Sequence, residues 1–384
     1  MIPKTSAMLD GRQCVEQRVS RNGYLIGALP RGEFMTGLEA IVERAANVQT
    51  GGAVPARTQN FETYAVSNFR GGIGKSTISF NLAYELSSAN STLVLDLCPQ
   101  RNMTQSLLGE DLSGFDVTVY DALLHEMTGT GEIDLDEMVV RVSAGNNSFM
   151  GKDRKRSYVI PGSQELFLFP SLLYSTLAQY SQLGQRGQAP SAKVLEAVAR
   201  IKEEAKEKAK ARKVLIDTSP FFGGATHLAW CAADALIIPV RVDQHSIEAF
   251  RLTLQMLANE DSEFHKFNHQ ANINNSPRVH AVAMTHCGWS RQNKFRPDSS
   301  TKHFLQAALE IAYEYADLFS EEDPADCFYL LDDFLSSGRI SGKQRIPLAK
   351  LEAGQKFPVD GQRLEVNPSV DRYKKEMRNL AAAL

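Results

Sequence analysis

Several features that mark common protein classes are scarce or missing in this sequence. Of its 384 residues only five are cysteine, at Cys14, Cys98, Cys231, Cys287 and Cys327, and no two form a CxxC pair. That scatter argues against a cysteine zinc site or a disulfide framework and suits a reducing compartment. No apolar run approaches the roughly 20 residues that span a bilayer. The opening stretch MIPKTSAMLDGRQ lacks the apolar centre of a secretory signal. Charge of one sign is also missing: the net value is −3, so nucleic acid could be held only by a local patch. A cytoplasmic protein is expected. With 43% hydrophobic and 23% charged residues, the composition is that of an ordinary globular chain, long enough for one large domain with insertions or two smaller ones.

One lack is local. The stretch SNFRGGIGKSTISFNLAYEL (Ser67–Leu86) nearly spells a phosphate-binding loop, but Phe69 stands where the usual pattern has its first glycine. Gly71, Gly72 and Gly74 supply the missing freedom, because a backbone without Cβ atoms can wrap a phosphate closely. Ile73 and Thr77 complete the loop. Lys75 supplies a mobile positive charge, and the Ser76 hydroxyl suits Mg2+. The helix predicted to follow, with Ile78, Leu82 and Leu86 at helical spacing, points its positive end at the same anion.

Short apolar runs recur around the loop: YAVSNF, STLVLDL (Ser91–Leu97), RKVLIDTSP (Arg212–Pro220), ALIIPV (Ala235–Val240) and VHAVAMT (Val279–Thr285). Strands buried on both faces have this texture, and strands separated by helices imply a parallel sheet. The expected fold is therefore doubly wound α/β, with ligand at the carboxyl ends of the strands. Two of the runs end in carboxylates, Asp96 and Asp217. An acid at the tip of a buried strand is costly unless it meets a cation or hydrogen-bond donors, and Asp217 is the natural metal-holding carboxylate.

Outside this frame, residues 1–60 read as a helical extension and linker, with Leu38, Ile41, Val42 and Ala45 at helical spacing. The remainder, 61–384, reads as one domain with insertions near 129–162 and 180–212. The first insertion carries KDRKR (Lys152–Arg156). The second leads into a charged helix over Ala192–Lys213, read as a solvated outer face.

Taken together, RGGIGKST, LVLDLCPQRNMTQSLLG, VLIDTSP, AADALIIPV and RIPLAKLEAGQKFPV resemble the ParA/MinD family of deviant Walker-type P-loop ATPases, and the PQ-N-T-LG track resembles its ParA branch. The resemblance runs from about Tyr64 to the C-terminus. It implies ATP and Mg2+ as cofactors, with Ser76, Asp96 and Asp217 at the metal and Lys75 and Asp96 in catalysis. Pro347 is implied near the adenine. It also implies an ATP-dependent homodimer, with Arg70 at the place of the signature lysine that reaches the partner's phosphates. Arginine keeps the charge there but is not equivalent to lysine.

The family's second aspartate after the strand is replaced by Cys98, a poor water-orienting base, so slow hydrolysis is expected. Nonspecific DNA and a stimulating partner protein are further implied, and no membrane. Ten basic residues lie between Arg339 and Arg378, at Arg339, Lys343, Arg345, Lys350, Lys356, Arg363, Arg372, Lys374, Lys375 and Arg378; a smaller set is Arg291, Lys294, Arg296 and Lys302. The alternative is an ATP-bound scaffold of the same fold that hydrolyses poorly.

Overall fold

The computed structural model describes residues 31–384 except 55, 56, 111–114, 116 and 132; Cys14 and the start of the N-terminal extension lie outside the described residues. Eight strands form the main sheet: β1 (Thr63–Val66), β2 (Thr92–Leu97), β3 (Val140–Arg141), β4 (Ser157–Ile160), β5 (Lys213–Thr218), β6 (Ala235–Arg241), β7 (Arg278–Cys287) and β8 (Phe328–Asp332). Their order is β3-β4-β2-β5-β1-β6-β7-β8. Every pairing is parallel except β3 with β4. A separate hairpin joins β9 (Lys356–Val359) and β10 (Gln362–Glu365).

The apolar runs alternate between two helix-covered faces. Ala65, Leu93, Leu95, Ile216 and Leu236 enter one core. Tyr64, Val66, Val94, Leu215 and Ile237 enter the other. Burial on both faces is the reason these strands show no polar alternation. Because β1 lies between β5 and β6, consecutive crossovers leave in opposite directions beside it, and the crevice this opens is where doubly wound sheets place ligands. The register sets Asp96 of β2 directly beside Asp217 of β5.

The first insertion is not wholly outside the sheet. Ser157–Ile160, just after the KDRKR run, is β4 and pairs with β2. The predicted charged helix is two helices, Gln188–Leu195 and Ala197–Ala209, and Lys213 already begins β5. Its outer face is solvated as expected, but Val194, Leu195, Val198, Ile201 and Ala205 are core residues. Helix α1 (Arg31–Thr50) buries Ile41 and Val42. The C-terminal helix Val370–Ala382 buries its whole apolar stripe, Val370, Tyr373, Met377 and Leu380. Among the described residues no helix is long and apolar enough to cross a membrane.

Candidate functional site

The glycine loop joins β1 to α2 (Lys75–Leu86), and Gly74 caps that helix in the left-handed region at φ 90°. Gly72 is also left-handed at φ 72°. Side chains with a Cβ are strained there, so the loop needs glycine for its path. The first intrahelical bond runs from Ile78 N–H to Gly74 O. Helical geometry leaves the preceding N–H groups without an intrahelical acceptor, and the helix dipole adds to their positive field. Lys75 is folded back over the loop, donating to the carbonyls of Asn68 (3.2 Å) and Arg70 (2.6 Å). Burial lowers its pKa to about 8, against the pull of Asp217.

Asp217 lies under the start of α2 and accepts from Ser76 Oγ at 2.8 Å and Ser79 Oγ at 2.7 Å. Asp96 is held differently. Its Oδ1 accepts from Cys98 N–H, and its Oδ2 accepts from both the N–H and the Oγ1 of Thr104. Gly162 presses on it from behind, where a Cβ would stand 3.0 Å from the carboxyl carbon. Both acids are fully buried. Burial, reinforced by Asp217, pushes Asp96 up to about 7; burial also raises Asp217, against its two serine bonds and Lys75.

Two adjacent buried carboxylates and a serine hydroxyl are a hard oxygen donor set with one lysine to offset them. Such a set suits a small divalent cation. With the amide-lined loop beside it, the site fits a phosphate chain with Mg2+. Cys98 adds no base, because it is buried and its thiol is pushed up to about 12 by desolvation and Asp96.

Arg70, placed by the resemblance at the cross-dimer position, bonds Asp243 and donates to Ser246 Oγ at the start of helix Gln244–Ala258. Two clefts flank α2. One, of about 630 Å³, is lined by Gly72, Ile73, Gly74, Thr77, Thr285 and His286 among others. The other, of about 680 Å³, includes Ser76, Thr77, Phe80, Gln105 and Arg345. Pro347 lines neither cleft; its neighbour Leu348 donates its N–H to Asn81 Oδ1 on the side of α2.

Thr104, Ser79 and Asp243 were not singled out by sequence reasoning. Thr104 stands inside the PQRNMT track, which was the one available signal. Ser79 and Asp243 carried none, since each acts through a contact distant in sequence.

The C-terminal cations are largely engaged. Arg339, Lys343, Lys356, Arg372, Lys374 and Arg378 pair with Asp360, Glu110, Glu365, Asp332, Asp371 and Glu85. Three of these partners, Glu110, Asp332 and Glu85, lie outside the Arg339–Arg378 span, so the positive bias counted there is partly offset in the fold. The loop after β7 is different: Arg291, Lys294 and Arg296 are exposed, and Phe295 is 45% exposed beside them.

Comparison with known proteins agrees with this geometry. The family model AAA_31, described as an AAA domain, matches residues 61–270. An uncharacterized protein of Methanocaldococcus jannaschii is 25% identical over 231 residues, covering 60% of this chain and 74% of that protein. Among solved structures, McdA of Cyanothece superposes with TM-score 0.54 at 18% identity, covering 83% of this chain and 99% of McdA. An ATP complex of a Cyanothece McdA variant gives 0.55 at 18% identity, covering 84% and 95%. At that identity the likeness concerns the fold.

Proposed function

Since the chain belongs to the AAA_31 family and has the fold of a ParA/MinD-type P-loop ATPase, we propose that it is a slow Mg·ATP-dependent switch that pairs with a second copy of itself and positions DNA or other cargo. The observation that carries the reading is the buried Asp96–Asp217 pair set beneath Ser76 and the glycine loop. The N–H groups of the loop and Lys75 would hold the phosphates, and Ser76 with Asp217 would hold the metal. When bound, Mg2+ neutralises phosphate charge. Asp96, fixed by Thr104 and Cys98 N–H, keeps the carboxylate pair in place and tunes its charge. Arg70 serves as the residue that reaches a second copy, and Asp243 holds it until then.

Slow turnover follows from the surroundings of Asp96. Its Oδ2 already accepts two bonds, and the neighbouring Cys98 thiol stays protonated. These facts also favour the second reading, an ATP-bound scaffold that hydrolyses poorly. For nonspecific DNA, the support lies in the exposed Arg291, Lys294 and Arg296 rather than in the C-terminal set, since cations contact phosphates irrespective of sequence. A protein that stimulates hydrolysis belongs to the same proposal.

The test is ATP binding and turnover for wild type, Lys75→Ala and Cys98→Asp, with and without duplex DNA at two salt concentrations. Turnover that rises with DNA and is lost in Lys75→Ala supports the switch. Tight ATP binding without turnover, restored by Cys98→Asp, supports the scaffold. Wild-type protein that binds no ATP sinks both.

A further inference from the structure

Far from the nucleotide loop, the fold brings together three groups that the proposed function does not use. Helix Gln244–Ala258 starts beside Arg70 and runs 15 residues, about 22 Å at the α-helical rise. At its far end the chain turns into helix Glu263–Gln270. His265 and His269 are one helical turn apart and so share a face, their ring centroids 5.7 Å apart. Glu260 lies in the turn before that helix, with its Oε2 3.2 Å from His269 Nε2. One donor atom from each of the three lies within 4.8 Å of the others.

His265 is also supported as a ligand needs to be. His265 Nε2 is 2.7 Å from the carbonyl oxygen of Leu257. A carbonyl can only accept, so Nε2 carries a proton and Nδ1 is the nitrogen left to offer a lone pair to a metal. A ring nitrogen donating to a backbone carbonyl while the other stays free is the outer-shell support common to metal-bound histidine. The helix is anchored from its other side by buried Phe264 and Asn268. Ser262 caps it by accepting from His265 N–H, which ties the turn to the first helical residues. A carboxylate–imidazole contact by itself accounts for Glu260 and His269, but not for a second, oriented imidazole on the same face.

We propose that Glu260, His265 and His269 form a binding site for a divalent transition ion of the zinc class. Two imidazole nitrogens and one carboxylate oxygen favour zinc, nickel or copper over magnesium or calcium. With metal–nitrogen bonds near 2.0–2.1 Å, ligand atoms in a tetrahedral site stand roughly 3.3 Å apart. Rotation of the exposed Glu260 and His269 side chains closes the remaining gap, and the anchored helix need not move. Three protein ligands leave a fourth position for water or for a group from another molecule. The ion would clamp the turn to the helix and stiffen this outer layer, whether or not ATP is bound.

The experiment titrates Co2+ into the full chain, cleared of metal by chelator and kept free of nucleotide, and follows visible absorption, then displaces the ion with Zn2+. One equivalent of Co2+ should produce a ligand-field band that Zn2+ removes. His265→Ala and His269→Ala should each weaken binding by about tenfold or more, and Glu260→Gln should weaken it less. Ser76→Ala and Cys14→Ser should leave the band unchanged, which separates this site from the metal position of the nucleotide site and from the N-terminal thiol. Circular dichroism checks that each variant is folded, and His265→Gln or His269→Gln replaces an alanine variant at the same position that is not. Absence of a saturable band in wild type, or a band that persists in both histidine variants, overturns the proposal.

Discussion

Replacing Asp96 with asparagine should make the protein more stable at pH 8 while destroying turnover. Asp96 has its pKa raised from 3.8 to about 7, burial being the largest cause and the Asp217 charge the next. A raised carboxyl favours the protonated fold, so its contribution is complete below about pH 3.8 and is lost as pH rises through about 7. The gap of about three units corresponds to about 4 kcal/mol against the folded state at pH 8. Asparagine removes that charge. It also turns one amide N–H2 toward either Cys98 N–H or Thr104 N–H, at a cost of about 1–3 kcal/mol for the unmet donors. The net expectation at pH 8 is a gain of about 1–3 kcal/mol. At pH 5 the native carboxyl is largely protonated, and the advantage should shrink by about 3 kcal/mol, leaving the variant level or less stable. Urea unfolding in EDTA without nucleotide, at both pH values, reads this directly. An Asp96→Asn variant destabilised by the same amount at pH 5 and pH 8 would refute the argument that Asp96 is a strained buried charge.

Gly74→Ala places a side chain at φ 90° and should cost about 1–2 kcal/mol in thermal or urea unfolding, with a marked loss of ATP affinity; unchanged unfolding would contradict the left-handed loop. In native protein at pH 8, iodoacetamide should leave Cys98, Cys231, Cys287 and Cys327 unmodified, since burial raises the pKa of all four thiols; rapid labelling of the Cys98 peptide by mass spectrometry would count against that environment. Asp243→Asn keeps an oxygen for the Ser246 N–H cap but removes the charge that holds Arg70. It should raise turnover in a manner that depends on protein concentration, and Arg70→Ala should abolish the rise. Identical rates for wild type and Asp243→Asn at every concentration would remove the latch from the account.

Legibility in the sequence followed the range of the interactions. The loop, its helix and the strand-end acids were readable because Gly71 to Ser76 act as one contiguous unit, and because β2, β5 and β6 are buried on both faces. β4 escaped notice because SYVI is only four residues long and directly follows a basic run that reads as surface. β8 stood between a turn rich in acids and a polar helix and was not singled out. The partners of the site residues were hidden for another reason. Arg70 meets Asp243 and Ser76 meets Asp217 across well over a hundred residues, and such pairings leave no periodic trace. The C-terminal cations show the same limit, since a count over Arg339–Arg378 cannot see that Glu85 and Glu110 arrive from distant parts of the chain.

Helix α1 has a consequence for how this chain behaves in company. It touches helix Ser299–Glu314 on one face of the sheet, the C-terminal helix on the other, and β8 between them, so it lies along the sheet's outer edge. Arg44 reaches from it to the carbonyl of Phe328, the first residue of β8, and to Ala325 O and Asp326. An uncovered edge strand offers unpaired carbonyls and amides to any other extended chain, and FYLLD is apolar enough to recruit one. The helix thus acts as a guard against strand-to-strand aggregation. Protein lacking residues 31–50 should precipitate or form fibrils even where its ATP loop is intact.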